Sequence, residues 1–145
     1  MVTERRKFGD LGEDVACRHL IEKKGWDILD RNYLKKWGEI DIVSREIGKT
    51  EDILHFIEVK TVSRENIALV SRERFVYDLP EEKVDDYKIK RLHRAIDSYL
   101  MENKYISRET GECNIAWQLD IIAVFIDMDN KQARIRMTEN IVLEE

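Results

Sequence analysis

Hydrophobic and polar positions change period several times along the chain, and each change predicts an element. Leu11, Val15 and the stretch from Cys17 to Leu20 fall at helical spacing. Asp10 followed by Glu13 reads as an N-terminal capping box, and Lys23-Lys24-Gly25 reads as a stop, so a helix is expected over 10–24. Residues 26–33 read as an edge-like strand. Residues 39–45 alternate apolar and polar and read as a second strand. Residues 53–61 form an almost continuous apolar run broken by two charges, which suits a strand covered on both faces. Gly48 and its polar neighbours make the intervening hairpin loop. Residues 63–80 are mixed in character, read as a mobile segment and end at Pro80, the one proline.

Residues 81–102 predict the longest helix. Glu81 and Glu82 stand at its positive end, and Leu92, Ala95, Ile96, Tyr99 and Leu100 supply a buried stripe. Residues 117–127 and 132–138 predict a strand pair turning at Asp129-Asn130. The order αβββαββ implies an α/β fold with a mixed central sheet of about five strands flanked by helices. No repeat, low-complexity tract or Pro/Gly/Ser linker divides the 145 residues, so one domain spanning 1–145 is expected.

Composition narrows the classes. Hydrophobic residues make up 43% and charged residues 38%, too apolar for a disordered chain and too charged for a membrane protein. No apolar run approaches the roughly 20 residues of a membrane helix. The charged start, Met1 to Lys7, is followed by no apolar signal segment, so a cytosolic (cytoplasmic) chain is expected. Cys17 and Cys113 are far apart and read as reduced thiols, and His19, His55 and His93 are too scattered for a zinc site. A net charge of −5 argues against general phosphate binding, yet Lys83 to Arg94 is locally basic.

The candidate chemistry lies on the second and third strands. Side chains two apart share a face, which pairs Glu39 with Asp41 and Glu58 with Lys60. A hairpin centred near residues 49 and 50 sets Asp41 opposite Glu58 and Glu39 opposite Lys60, about 5 Å apart at Cβ. Two carboxylates so close repel unless a cation, a proton or Lys60 intervenes. A divalent cation such as Mg²⁺ binds one or two carboxylates plus substrate phosphates, and a nearby lysine can position or deprotonate water. A plain ion-pair cluster on a sheet face fits the same residues.

Gly38-Glu39-Ile40-Asp41-Ile42-Val43 followed by Phe56-Ile57-Glu58-Val59-Lys60 resembles the Asp…Glu-x-Lys signature of the PD-(D/E)xK, or restriction-endonuclease-like, superfamily. Gly9-Asp10-Leu11-Gly12-Glu13-Asp14-Val15-Ala16, then Gly25-Trp26-Asp27-Ile28-Leu29 and Asn32-Tyr33, is similar to the start of the YraN-like family of predicted endonucleases. Lys88, Arg91-Leu92, Tyr99-Leu100 and Leu119 to Val124 continue the likeness over nearly the whole chain. The resemblance implies a fold related to Holliday-junction resolvases and restriction enzymes. It makes Asp41 and Glu58 ligands of Mg²⁺ or Mn²⁺ and Lys60 the catalytic lysine. It turns Glu13 towards the site, where Glu39 completes it. Read from the residues alone, Glu13 is equally a capping-box acid and Glu39 a partner for Lys60. Two positions where the family often has arginine carry other residues here: Thr61-Val62-Ser63 precede Arg64, and Gln118 stands two before Asp120.

The leading expectation is a Mg²⁺- or Mn²⁺-dependent endonuclease acting on DNA, with branched, damaged and single-stranded DNA among its candidate substrates. A two-fold homodimer is expected if the substrate is a four-way junction. Lys88, Lys90, Arg91, Arg94 and Arg64 are the candidate phosphate contacts, against an ordinary solvated helix face. Two rivals predict differently. A non-catalytic nucleic-acid-binding module would bind DNA without regard to metal, and an interaction protein of DNA maintenance would bind neither. Trp26, Trp37 and Trp117 read as core or sheet-edge aromatics. His55 reads as a core histidine, and Asp120 as either a fourth acid or a buried acid tied to backbone amides.

Overall fold

The computed structural model describes residues 3–63 and 86–141. Within them the chain forms α1 (Glu4–His19), which widens into a π-helical turn over Leu20–Lys24, then β1 (Asp27–Lys35), β2 (Gly38–Glu46), β3 (Ile53–Ser63), α2 (Asp86–Glu102), β4 (Ala116–Asp127) and β5 (Gln132–Thr138). The strands make one mixed sheet in the order β1-β2-β3-β4-β5. β3 and β4 are parallel and all other neighbours antiparallel. This is the expected α/β architecture, a five-stranded mixed sheet flanked by helices, and it is consistent with a restriction-endonuclease-like fold. No helix among the described residues is long and apolar enough to cross a membrane. The expected mobile segment and its Arg64, and the start of the second helix at Glu81 and Glu82, lie outside the described residues.

The sheet is buried on both faces. Ala16, Cys17 and Leu20 of α1 pack with Trp26, Ile42, Ile57, Ile122, Val124 and Ile126. On the other face, Leu92, Ala95, Ile96, Tyr99 and Leu100 of α2 pack with Ile40, Val43, Leu54, Phe56 and Leu119. β3 feeds both clusters from alternate residues, which is why its sequence is apolar almost throughout. β1 lies at the sheet edge as its polar pattern anticipates. Cys17 is buried in α1 and Cys113 exposed, and both are free thiols.

The first helix departs from its expected start. It begins at Glu4, and Thr3 is its cap, accepting the Arg6 amide at 3.1 Å. Asp10 therefore lies inside the helix and caps nothing. The inward face runs through Gly12 and Ala16, while Leu11 is turned outward and 37% exposed. Gly12 is what lets α1 settle on β3, because a Cβ there would run into the Thr61 side chain. Gly38 serves the same end on the other layer, where a Cβ would meet the Arg91 carbonyl of α2. At the helix's far end Gly25 adopts the expected left-handed stop, with φ 71°.

Candidate active site

β2 breaks its alternation at Asp41. Ile40 and Val43 both pack under α2, whereas Ile42 packs under α1. β1 breaks at the same level: Arg31 pairs with Ile42 and Tyr33 with Ile40, and Asn32 between them takes a positive φ of 53°. The β2–β3 pairing stops at Ile42 and Ile57, one residue short of the expected pairing of Asp41 with Glu58. Beyond the ladder, the Val59 amide donates to the Asp41 carboxylate at 2.8 Å. The Asp41 side chain thus takes a hydrogen bond that the backbone of β2 has relinquished.

Around this defect lies a cleft of about 660 Å³ whose lining includes Glu13 of α1, Glu39 and Asp41 of β2, Glu58 and Lys60 of β3, and Lys88 of α2. All five expected catalytic residues, Glu13, Glu39, Asp41, Glu58 and Lys60, therefore meet in one place. Asp41 and Glu58 are buried, and Glu39 is exposed at the margin. Burial and the neighbouring Glu58 charge push the Asp41 carboxyl up to about 8. Burial also raises Glu13, against the pull of Arg31, which approaches Glu13 Oε2 at 3.6 Å. That oxygen is buried and accepts no hydrogen bond among the described residues.

Glu58 is held by two ammonium groups. Lys60 Nζ is 3.3 Å and Lys88 Nζ 2.6 Å from its Oε1. Burial and the adjacent Lys88 lower the Lys60 pKa, while Glu58 opposes that shift. Lys60 thus pairs with Glu58, the acid two residues before it. Lys88, expected among the surface phosphate contacts, turns instead into the cleft, and its helical position close to the buried stripe was the available signal. Arg5, Phe8 and Arg91 complete the walls, and Arg5 was not foreseen. Lys90 lies on an exposed part of α2.

Donor chemistry suits a hard cation. Glu13, Asp41 and Glu58 offer only carboxylate oxygens, the donor type that Mg²⁺ or Mn²⁺ takes, although Arg31 lies 3.6 Å from Glu13 Oε2. Glu13, Asp41 and Glu58 would hold the ion, and the triad need not close tightly because Mg²⁺ keeps several waters. The tightest set of three donors among the described residues lies elsewhere, where atoms of His55, Asp120 and Glu139 fall within 4.8 Å of one another.

His55 already has both ring nitrogens occupied there. Nδ1 is 2.5 Å from Asp120 Oδ2 and Nε2 is 2.8 Å from Glu46 Oε1, and the ring stacks on Trp26 at 3.8 Å. Burial disfavours its charge, but the hydrogen bonds to Asp120 and Glu46 outweigh burial and raise its pKa. His55 is the expected core histidine. Asp120 is the buried acid tied to backbone, accepting the Asn140 amide at 2.9 Å and the Gln118 side chain at 2.8 Å. Trp26 is in the core and Trp117 packs against it, but Trp37 is 36% exposed and lies against α2.

The comparisons with known proteins agree over most of the chain. Residues 12–124, which contain Glu13, Asp41, Glu58, Lys60 and Lys88, match the profile of the uncharacterised protein family UPF0102. A UPF0102 protein of Campylobacter lari is 34% identical over 97% of this chain and 98% of its own length. One from Pelotomaculum thermopropionicum is 31% identical over 97% of this chain and 98% of its own. One from Campylobacter jejuni is 35% identical over 83% and 85% respectively. With the profile covering most of the fold, and relatives matching over nearly their whole length, the chain belongs to the UPF0102, YraN-like, family.

Proposed function

We propose that this protein is a metal-dependent endonuclease of the PD-(D/E)xK superfamily that hydrolyses DNA phosphodiester bonds. The observation that carries the reading is the meeting of Glu13, Asp41, Glu58 and Lys60 in one cleft, with a buried Glu13 oxygen that accepts no hydrogen bond among the described residues. Bound there, Mg²⁺ or Mn²⁺ would polarise the phosphate and activate a water molecule. Asp41 and Glu58 would hold the ion, with Glu13 of α1 as a further carboxylate in the same cleft. Lys60, whose ammonium is weakened by burial, would orient the attacking water, and once it has given up its own proton its neutral amine would accept the water's. Lys88 and Arg91 meet the phosphate from the α2 side.

A second reading has one observation in its favour. Lys60 and Lys88 already neutralise Glu58, as they would in a cluster that serves structure alone. On that reading the chain is a nucleic-acid-binding module that binds DNA equally with and without metal. The test is cleavage of labelled linear, single-stranded and four-way-junction DNA with Mg²⁺ or Mn²⁺, beside Lys60→Ala and Asp41→Ala. Metal-dependent cutting that falls by roughly 10²–10⁴-fold in both variants is expected. Folded protein that binds DNA and cuts none of the three substrates with either metal would favour the binding module.

A further inference from the structure

Beside the cleft, a stripe of α2 alternates flat cations with aromatic rings. Tyr87, Arg91, Arg94 and Ser98 fall at helical spacing on one side of the helix, and Trp37 of the β1–β2 turn lies against them. The Arg91 guanidinium sits 5.7 Å from the Tyr87 ring centre, and that of Arg94 5.9 Å from the Trp37 ring centre. Trp37 is fastened at two points: its indole N–H donates to Ser98 Oγ at 2.9 Å, and its carbonyl accepts Arg91 Nε at 3.0 Å. Tyr87 is 71% and Trp37 36% exposed, so both planes reach solvent. Arg91 also lines the cleft, which makes the stripe continuous with it.

We propose that this stripe is a stacking platform for the unpaired bases of a nucleic-acid strand leading into the cleft. In a duplex every base face is covered by its neighbours, and a protein meets phosphates and groove edges instead. Exposed aromatic and guanidinium planes offer little to such a surface and much to an unpaired base, whose free face stacks on them whatever its identity. The charge agrees: Arg91, Arg94 and the adjacent Lys36 give a cationic strip on a chain of net charge −5. The fastening of Trp37 means that little conformational freedom is lost on binding. The platform's place in the reaction rests on the cleft being a nuclease site; its binding preference does not.

The test is fluorescence anisotropy in EDTA, with a labelled oligothymidine, an oligouridine and a hairpin duplex. Binding to oligothymidine tighter than to the duplex is expected, and the oligouridine arm tells which sugar the strand carries. Trp37→Ala should weaken single-strand binding roughly tenfold or more and leave duplex binding unchanged, while Trp37→Phe restores it. Arg94→Met, which keeps the stem and removes the plane, should weaken the same arm without altering the fold seen by circular dichroism. Equal affinity for strand and duplex, or single-strand binding indifferent to both Trp37→Ala and Arg94→Met, overturns the platform. Cleavage assays keep the two readings apart. Strand-selective binding without metal-dependent cutting leaves the platform standing and removes the nuclease. Cutting without strand-selective binding does the reverse.

Discussion

Lys88 Nζ stands 2.6 Å from Glu58 Oε1, so a residue of α2 neutralises a carboxylate of β3 at the floor of the cleft. The lysine occupies the oxygen that the proposed cation needs. Lys88→Met should therefore lower the melting temperature in metal-free buffer by about 3 °C, the scale of a half-exposed ion pair worth about 1 kcal/mol. Added Mg²⁺ should then raise the variant's melting temperature more than the native protein's, since ammonium and metal no longer compete. Differential scanning fluorimetry with a Mg²⁺ titration checks both. A smaller Mg²⁺ response in the variant would show that Lys88 supports the cation instead.

Asp41 gives a pH signature. Its carboxyl is pushed from an ordinary 3.8 up to about 8 by burial first and Glu58 second. Between those values the folded protein keeps a proton that the unfolded chain releases, so stability falls as pH rises through that window. Asp41→Asn carries no such proton and should flatten the slope while removing cutting. Melting temperatures across that pH range, in EDTA, measure it. A slope unchanged in the variant would assign the effect to another group.

His55 acts at the upper end of the same range. Its pKa is raised above 6.5, so the stability it contributes is complete below that value and is lost as pH rises through the folded-state value. His55→Gln should cost about 3 kcal/mol near neutrality, because Asp120 and Glu46 lose their shared cation. Its slope should flatten only above pH 6.5, whereas Asp41→Asn flattens the lower part as well. Urea melts of the two variants at matched pH separate the contributions.

Gly9 and Gly12 of one helix should answer oppositely to alanine. A Cβ at Gly9 meets nothing within 4 Å, so Gly9→Ala gains up to about 1 kcal/mol of helix propensity. A Cβ at Gly12 collides with Thr61, so Gly12→Ala should cost roughly 1–3 kcal/mol and displace Glu13 from the cleft. Thr61→Ala in the Gly12→Ala background should restore part of the loss. Denaturant unfolding of the single and double variants gives the values.

Much of this was legible in the sequence because periodicity reports burial. The almost continuous apolar run of β3 announced a strand with a layer on each side, and the spacing of Leu92 to Leu100 announced the inward stripe of α2. The site was legible because acids and a lysine in such strands demand compensation. Other features were not. The helix starts earlier than expected since Thr3 and Asp10 are both acceptable caps, and the earlier turns bring Phe8 against the core. Lys88 differed from its solvated neighbours only by standing one turn before Leu92 of the buried stripe, and that it pairs with Glu58 depends on where Glu58 lies in space. Strict alternation also hid the defect at Asn32 and Asp41, which requires a positive φ at a residue other than glycine.

The cleft around that defect has a mechanical consequence. Glu13 comes from the layer on one side of the sheet and Lys88 from the layer on the other, and both line the cleft that holds Asp41 and Glu58. An ion seated between them would join the two layers at one point. Its binding would then slow amide exchange in α1 and α2 together, and loss of either helix from the sheet would release it.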